Sequence, residues 1–276
     1  MTGHPVQVWW ARLEDARTGL RALLDPVERV RYESTVDPAG RGRFLVGCAL
    51  SRLALGELLG LPPADVPLRR VCPRCGGPHG KVHLALPPDG PAGIPAGTRP
   101  AYDRSVTFSV THSGALVGVA VCRGGEVGLD VEESHADMDV DSAARVALSD
   151  AELAALYARP AAERQPAFLR TWTRKEAVLK ALGVGLGVPL RELEVSGPEQ
   201  PPAVLAWPVR LATRPHTTSM ADMVVDGMHP AAVAVALAGA EAGDGDGNGN
   251  GDGQGEADGV RVTVHDGSGT LAAYDG

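Results

Sequence analysis

Two acidic segments constrain this chain more than anything else in it: Gly128-Leu129-Asp130-Val131-Glu132, and Trp172-Thr173-Arg174-Lys175-Glu176-Ala177-Val178-Leu179-Lys180. In the first, Val127, Leu129 and Val131 alternate with Gly128, Asp130 and Glu132, which is strand periodicity. Strand side chains alternate faces, so the two carboxylates share one face and the apolar residues the other. Two carboxylates this close repel, and a hard divalent cation with oxygen ligands relieves that. An edge strand with a solvated acidic face has the same spacing. The second segment lies in a helical pattern from Phe168 to Leu182, with Pro166 at a first-turn position and Gly183 as the stop. Phe168, Trp172, Leu179 and Leu182 form its apolar face, with Glu176 and Lys180 on the shoulder. An i,i+4 ion pair accounts for Glu176 and Lys180 equally well. Lys175 falls inside the apolar stripe, where a lysine needs a partner.

Together with Phe108-Ser109-Val110-Thr111-His112-Ser113-Gly114, these segments give three blocks in order. They resemble the signature of the surfactin-type 4′-phosphopantetheinyl transferases: Gly-Ile/Val-Asp-x-Glu, then Trp-Ser/Thr-x-Lys-Glu-Ala/Ser-x-x-Lys, with an Asn/Ser-x-Ser-His-Ser block before them. The similarity spans roughly residues 20–240. It implies an α+β fold of two similar subdomains in a pseudo-dimer. It implies transfer of the 4′-phosphopantetheine arm from coenzyme A to a serine of an acyl, peptidyl or polyketide carrier protein. The pathways it implies are polyketide, nonribosomal peptide or fatty-acid biosynthesis. Asp130, Glu132 and Glu176 are then the expected Mg²⁺ ligands, with Asp130, Glu176 and Lys180 carrying the chemistry. Arg43, Lys81, Thr111, His112, Lys175 and Lys180 are the expected coenzyme contacts, with Arg29, Arg31 and Arg52 as further candidates. Lys81 stands in Gly80-Lys81-Val82, where the family often has Gly-Lys-Pro, and Thr111 replaces the more usual serine.

Composition narrows the classes. The 276 residues are 44% hydrophobic but only 4% aromatic, so a sizeable core must be built from Ala, Leu and Val. Net charge is -8, and residues 239–259 hold six acidic side chains and no Lys or Arg. The remaining body is nearly neutral and offers no nucleic-acid footprint. No basic region followed by an apolar run opens the chain, and no apolar run is long enough to cross a bilayer. Four cysteines do not make a disulfide framework. The expected setting is the cytoplasm, and the expected state a monomer, because one chain holds both halves.

Along the chain, Val6 to Trp10 reads as a strand and Leu20 to Tyr32 as a helix. A Pro-Ala-Gly turn at 38–40 precedes a helix from Arg41 to Leu59, stopped by Gly60. Cys72, Cys75, His79 and His83 have spacing compatible with a tetrahedral zinc site; a tight loop with small apolar cysteines has it too. Residues 87–100 are rich in Pro and Gly and read as a hinge. Val106 to Val110, Leu116 to Cys122 and Glu126 to Glu132 read as strands, with His112 just past the first. Helix 140–147 follows, then a capping box from Ser149 to Glu152. Ala203 to Ala212 and Val233 to Leu237 are further strands, and Trp207 reads as core.

This gives an N-terminal subdomain at 1–104 and a C-terminal subdomain with the acidic site at 105–238. A Gly/Asp-rich linker at 239–259 that cannot bury a core follows, then a tail at 260–276 read as a loose hairpin. Two other activities fit parts of the pattern: a Mg²⁺-dependent nucleotide pyrophosphatase using the same carboxylates, and a zinc-dependent binding module around Cys72 to His83.

Overall fold

A computed structural model describes residues 3–71, 76–77, 80–85, 103–134, 138–209, 211, 214–237 and 259–275. The elements in chain order are β1 (His4–Arg12), α1 (Pro26–Ser34), α2 (Pro38–Leu59), β2 (Leu68–Arg70), β3 (Val82–Leu84), β4 (Val106–Ser113), β5 (Leu116–Arg123) and β6 (Glu126–Val131). Then come α3 (Val140–Ala147), α4 (Asp150–Tyr157), α5 (Ala161–Leu182), β7 (Glu194–Val195), β8 (Val204–Ala206), β9 (Thr217–Val225), β10 (His229–Leu237), β11 (Val260–Asp266) and α6 (Gly267–Ala272). The class is α+β, as expected.

One sheet has the order β11-β1-β5-β4, the other β6-β10-β9, with two small ribbons, β2-β3 and β7-β8. Strand alternation sorts the side chains into layers. On β1, Trp9 and Ala11 face α2, while Val6 and Val8 meet Val127 and Leu129 of β6 and Val233 and Val235 of β10. The two sheets therefore share an apolar middle layer, with a 22-residue helix outside each: α2 on the first, α5 on the second.

The helices begin where capping chemistry puts them. Asp25 and Glu28 form a capping box with Pro26 in the first turn, so α1 starts there. The single helix expected from Leu20 to Tyr32 is split: residues Thr18–Leu23 form a 3₁₀ helix that ends before Asp25. Residues 38–40 are the first turn of α2, capped by Asp37, not a turn before it. Pro166 lies inside α5, which starts at Ala161, rather than in its first turn. Gly60 and Gly183 end α2 and α5 in the left-handed conformation.

Two strand expectations need correction. Among the described residues of the strand expected at 203–212, only those of β8 are extended in a sheet, and β9 was not expected at all; Asp226 and Gly227, both at positive φ, make the tight turn joining β9 to β10. The tail at 260–276 is not a hairpin. Its strand β11 pairs parallel to β1, and α6 buries Leu271 in the core under α2. His265 stacks on Trp9, and Arg17 donates to the carbonyls of Leu271 and Tyr274. β5 pairs antiparallel with β1 and with β4, so the first sheet draws strands from both sides of residue 104. The hinge at 87–100 and nearly all of the 239–259 linker lie outside the described residues.

The sheets also meet edge to edge. β6 runs beside β4 at a constant offset of 20 residues, joined by hydroxyls rather than by backbone pairs. Val127 N–H donates to Thr107 Oγ1 (3.2 Å), Leu129 N–H to Ser109 Oγ (3.0 Å) and Glu133 N–H to Ser113 Oγ (3.1 Å). β6 is thus an edge strand without a solvated face, and Asp130 on it is only 4% exposed.

Candidate active site

α5 can lie directly on β6 because residue 128 is glycine. A Cβ there would overlap the Ala177 carbonyl oxygen and the Ala181 nitrogen. This contact brings Glu176 and Lys180 over Asp130. Lys180 Nζ donates to Asp130 Oδ1 (2.6 Å), Thr111 Oγ1 (3.1 Å) and the Leu129 carbonyl (3.1 Å). Thr111 Oγ1 also donates to Asp130 Oδ1 (3.2 Å). Glu132 has a donor on each oxygen: Ser113 Oγ to Oε2 (2.7 Å) and Trp172 Nε1 to Oε1 (3.0 Å).

All three carboxylates are held above their ordinary pKa range. Burial is the main cause for Asp130, and Lys180 opposes it. For Glu132 burial again leads, offset by the Ser113 hydrogen bond and reinforced by Asp130. For Glu176 burial is followed by repulsion from Asp130. The three groups therefore share one electrostatic site.

Among the described residues, no three His, Cys, Asp or Glu side chains converge on a formed metal position. Asp130 Oδ2 and Glu176 Oε1 are nonetheless buried without a hydrogen-bond partner. Orphaned buried oxygens are costly unless something positive reaches them. Mg²⁺ is usually bound by one or two carboxylates with substrate phosphates and water, so these all-oxygen donors fit it. For the expected zinc site, Cys72, Cys75 and His79 lie outside the described residues. His83 stands on β3, its pKa lowered first by burial and then by Lys81.

Beside the carboxylates a cleft of about 850 Å³ opens between α1, α2, β2 and β3 on one side and the end of α5 with residues 183–187 on the other. Arg31, Arg43, Arg70, Lys81, His112 and Lys180 line it. Arg43 donates to the Gly114 carbonyl (3.0 Å), and Lys81 to Glu126 (2.9 Å) and the Ala181 carbonyl (3.0 Å). His112 lies within β4, not past it. Its ring is exposed on the cleft wall, yet the surrounding protein and then Arg43 and Lys180 disfavour its charged form. Arg70 is a cleft residue that the sequence patterns do not single out.

Three expected coenzyme contacts are engaged elsewhere. Lys175 is fully buried, and its ammonium donates to Glu152, to the Ala147 carbonyl (2.8 Å) and to the Leu190 carbonyl (3.1 Å). Its place in the apolar stripe marks a structural knot, not a phosphate contact. Arg52 is likewise buried, on Glu28 (2.8 Å) and the carbonyls of Ala64 and Val66. Arg29 donates to the Leu24 carbonyl. Arg174, next to Lys175, is buried against Asp222 and the carbonyls of Ser196, Gly197 and Gln200. No described helix is long and apolar enough to cross a membrane.

Lys180 joins the two parts of the site: it lines the basic cleft and bonds the buried Asp130. The family model of the 4′-phosphopantetheinyl transferase superfamily matches residues 126–233, the stretch carrying the carboxylates, Lys180 and the first half of β10. The chain is 30% identical over 232 residues to the 4′-phosphopantetheinyl transferase HetI of Nostoc sp., covering 83% of this chain and 86% of that protein. It is 27% identical over 175 residues to a putative 4′-phosphopantetheinyl transferase of Synechocystis sp., 63% of each chain. It is 33% identical over 87 residues to the 4′-phosphopantetheinyl transferase AcpT of Salmonella typhimurium, 31% of this chain and 45% of that one. The chain belongs to the 4′-phosphopantetheinyl transferase superfamily and is a transferase.

Proposed function

We propose that this transferase belongs to the surfactin-synthetase-activating type. It moves the 4′-phosphopantetheine arm of coenzyme A to a serine hydroxyl of an acyl or peptidyl carrier protein. The observation that carries the reading is the position of Lys180, which both lines the basic cleft and bonds the buried Asp130. A diphosphate lying in the cleft against Arg43, His112 and Lys180 has its reacting end at the carboxylates.

In the reaction, the serine oxygen attacks the phosphorus that carries the pantetheine arm. A new O–P bond forms, and the P–O bond to 3′,5′-ADP breaks. A serine hydroxyl needs a base, and Glu176, whose pKa is raised and whose Oε1 is free, is suited to take its proton. Lys180 carries the positive charge nearest the departing phosphate. Asp130, Glu132 and Glu176 would hold Mg²⁺, which stabilises negative charge on the diphosphate oxygens. Thr111 keeps Asp130 and Lys180 in register through its hydroxyl. The reading keeps the division into subdomains at 1–104 and 105–238, a cytoplasmic monomer, and a role in polyketide, nonribosomal peptide or fatty-acid biosynthesis.

The test is mass spectrometry of apo carrier proteins incubated with coenzyme A, Mg²⁺ and enzyme. The expected result is a gain of one phosphopantetheine arm, lost with Asp130→Ala and Glu176→Ala. Release of free 4′-phosphopantetheine with unmodified carrier would make the protein a pyrophosphatase instead. Full carrier modification by Glu176→Ala would overturn the role given to that residue.

A further inference from the structure

The hydroxyls joining β4 to β6 occupy every second position: Thr107, Ser109, Thr111 and Ser113. At three of them the hydroxyl accepts the backbone N–H twenty residues on, at 127, 129 and 133. At the rung between, Thr111 instead engages Asp130 and Lys180. The regular ladder gives way at the one rung where the buried carboxylate sits. The rung at Ser113 does two things at once. It accepts from Glu133 N–H, which fixes the chain just past β6, and it donates to Glu132 Oε2. The opposite oxygen of Glu132 is held by Trp172, from α5. Two elements from opposite sides thus clamp one carboxylate. Unlike Asp130 and Glu176, Glu132 has no orphaned oxygen.

We infer that Ser113 is a positioning residue of the transfer reaction, setting the orientation of the Glu132 carboxylate through the last rung of the β4–β6 hydroxyl ladder. This rests on the reading of Glu132 as a ligand to the cation that acts on the diphosphate. A carboxylate on a strand end can rotate about its side-chain bonds, and each oxygen can then face the diphosphate or turn away. With one donor on each oxygen, a single rotamer keeps both hydrogen bonds, and the remaining lone pairs point in fixed directions. Partners that orient a ligand in this way typically contribute about 10–100-fold to metal affinity or activity.

The full-length chain is titrated with Mn²⁺ by calorimetry, and its kinetics are measured with an apo carrier protein. Ser113→Ala should weaken Mn²⁺ binding about tenfold and lower kcat by a similar factor, with the KM for coenzyme A within about twofold of wild type. Ser113→Thr, which keeps the hydroxyl, should restore both. Thr107→Val removes a rung at the far end of the same ladder that touches no carboxylate. It should lower the thermal midpoint without moving Mn²⁺ affinity. A Ser113→Ala protein with wild-type cation affinity and kcat overturns the positioning role. So does one whose changes are matched by Thr107→Val. A wild-type chain that binds no Mn²⁺ overturns the cation reading itself, and the positioning role with it.

Discussion

Lys180 Nζ lies 2.6 Å from Asp130 Oδ1, and its two other hydrogen bonds go to Thr111 and the Leu129 carbonyl, so all three of its protons are in use. The lysine side chain keeps 30% exposure and the aspartate 6%, so the charge pair is buried on one side only. Removing the ammonium leaves a buried carboxylate whose pKa burial already raises.

Lys180→Met should therefore destabilise the protein by about 2–3 kcal/mol, below the about 3–5 kcal/mol seen when one partner of a fully buried pair is removed. Asp130→Asn should cost less, because the amide retains shape and needs no counter-charge. Both should lose carrier modification. Urea denaturation with fluorescence separates the two effects. Equal stability of Lys180→Met and wild type would show that the pair adds nothing to the fold.

The close approach of α5 to β6 depends on one missing methyl group. Gly128→Ala would push a Cβ into the helix backbone, where nothing flexible can move aside. The expected cost is about 3 kcal/mol or more, the upper range for overpacking. Transfer should fall with it, because Glu176 and Lys180 leave Asp130. Gly197→Ala is the control: its nearest neighbour is Gln200 Oε1 at 3.6 Å. A wild-type thermal midpoint for Gly128→Ala would refute the backbone contact.

His112 gives a pH dependence whose sign can be worked out. Its pKa in the folded chain is below the ordinary value of about 6.5. Between the two values the unfolded chain holds more protons, so stability rises with pH there and is lost as pH falls through the window. His83 acts in the same direction, so the comparison must be with His112→Gln. An anionic phosphate beside His112 favours its charged form. Coenzyme A binding should then take up a proton and strengthen as pH falls from about 8 to about 6, more steeply in wild type than in His112→Gln. Identical slopes would remove His112 from the phosphate site.

The strand at Gly128 to Glu132 and the helix at Glu176 were legible because their periodicities are local. Val127, Leu129 and Val131 fall on the sheet-facing side, and Asp130 on the other. Non-local partners were not legible. Ser113 meets Glu132 only through an offset of 19 residues across the two sheets, and nothing in either segment announces it. The tail reads as a loose hairpin because the true partner of β11 is β1, at the other end of the chain. The Asp226-Gly227 pair is a hairpin signal and marks the turn before β10, but the polar residues of β9 conceal the strand preceding it. Nothing in the helical segments around Arg52 and Arg174 points to their partners. Only the fold shows each wrapped by carbonyls and an acid.

Lys175 shows how a correct inference from periodicity can reach the wrong partner. A lysine inside an apolar stripe must find acceptors, and this one finds three, none of them in the cleft. Its partner Glu152 also accepts from Ser149 N–H (2.8 Å) as part of the cap of α4, and from Val195 N–H (2.9 Å) in β7. One buried ion pair therefore ties α5 to α3, α4 and β7. Burial lowers the pKa of Lys175, and Glu152 opposes that shift. Lys175→Met should destabilise by about 3–5 kcal/mol, because the buried Glu152 carboxylate would lose its counter-charge. The double variant Lys175→Met with Glu152→Gln should recover part of that loss. In whatever fraction stays folded, the KM for coenzyme A should equal that of wild type. A raised KM with unchanged stability would return Lys175 to the phosphate site.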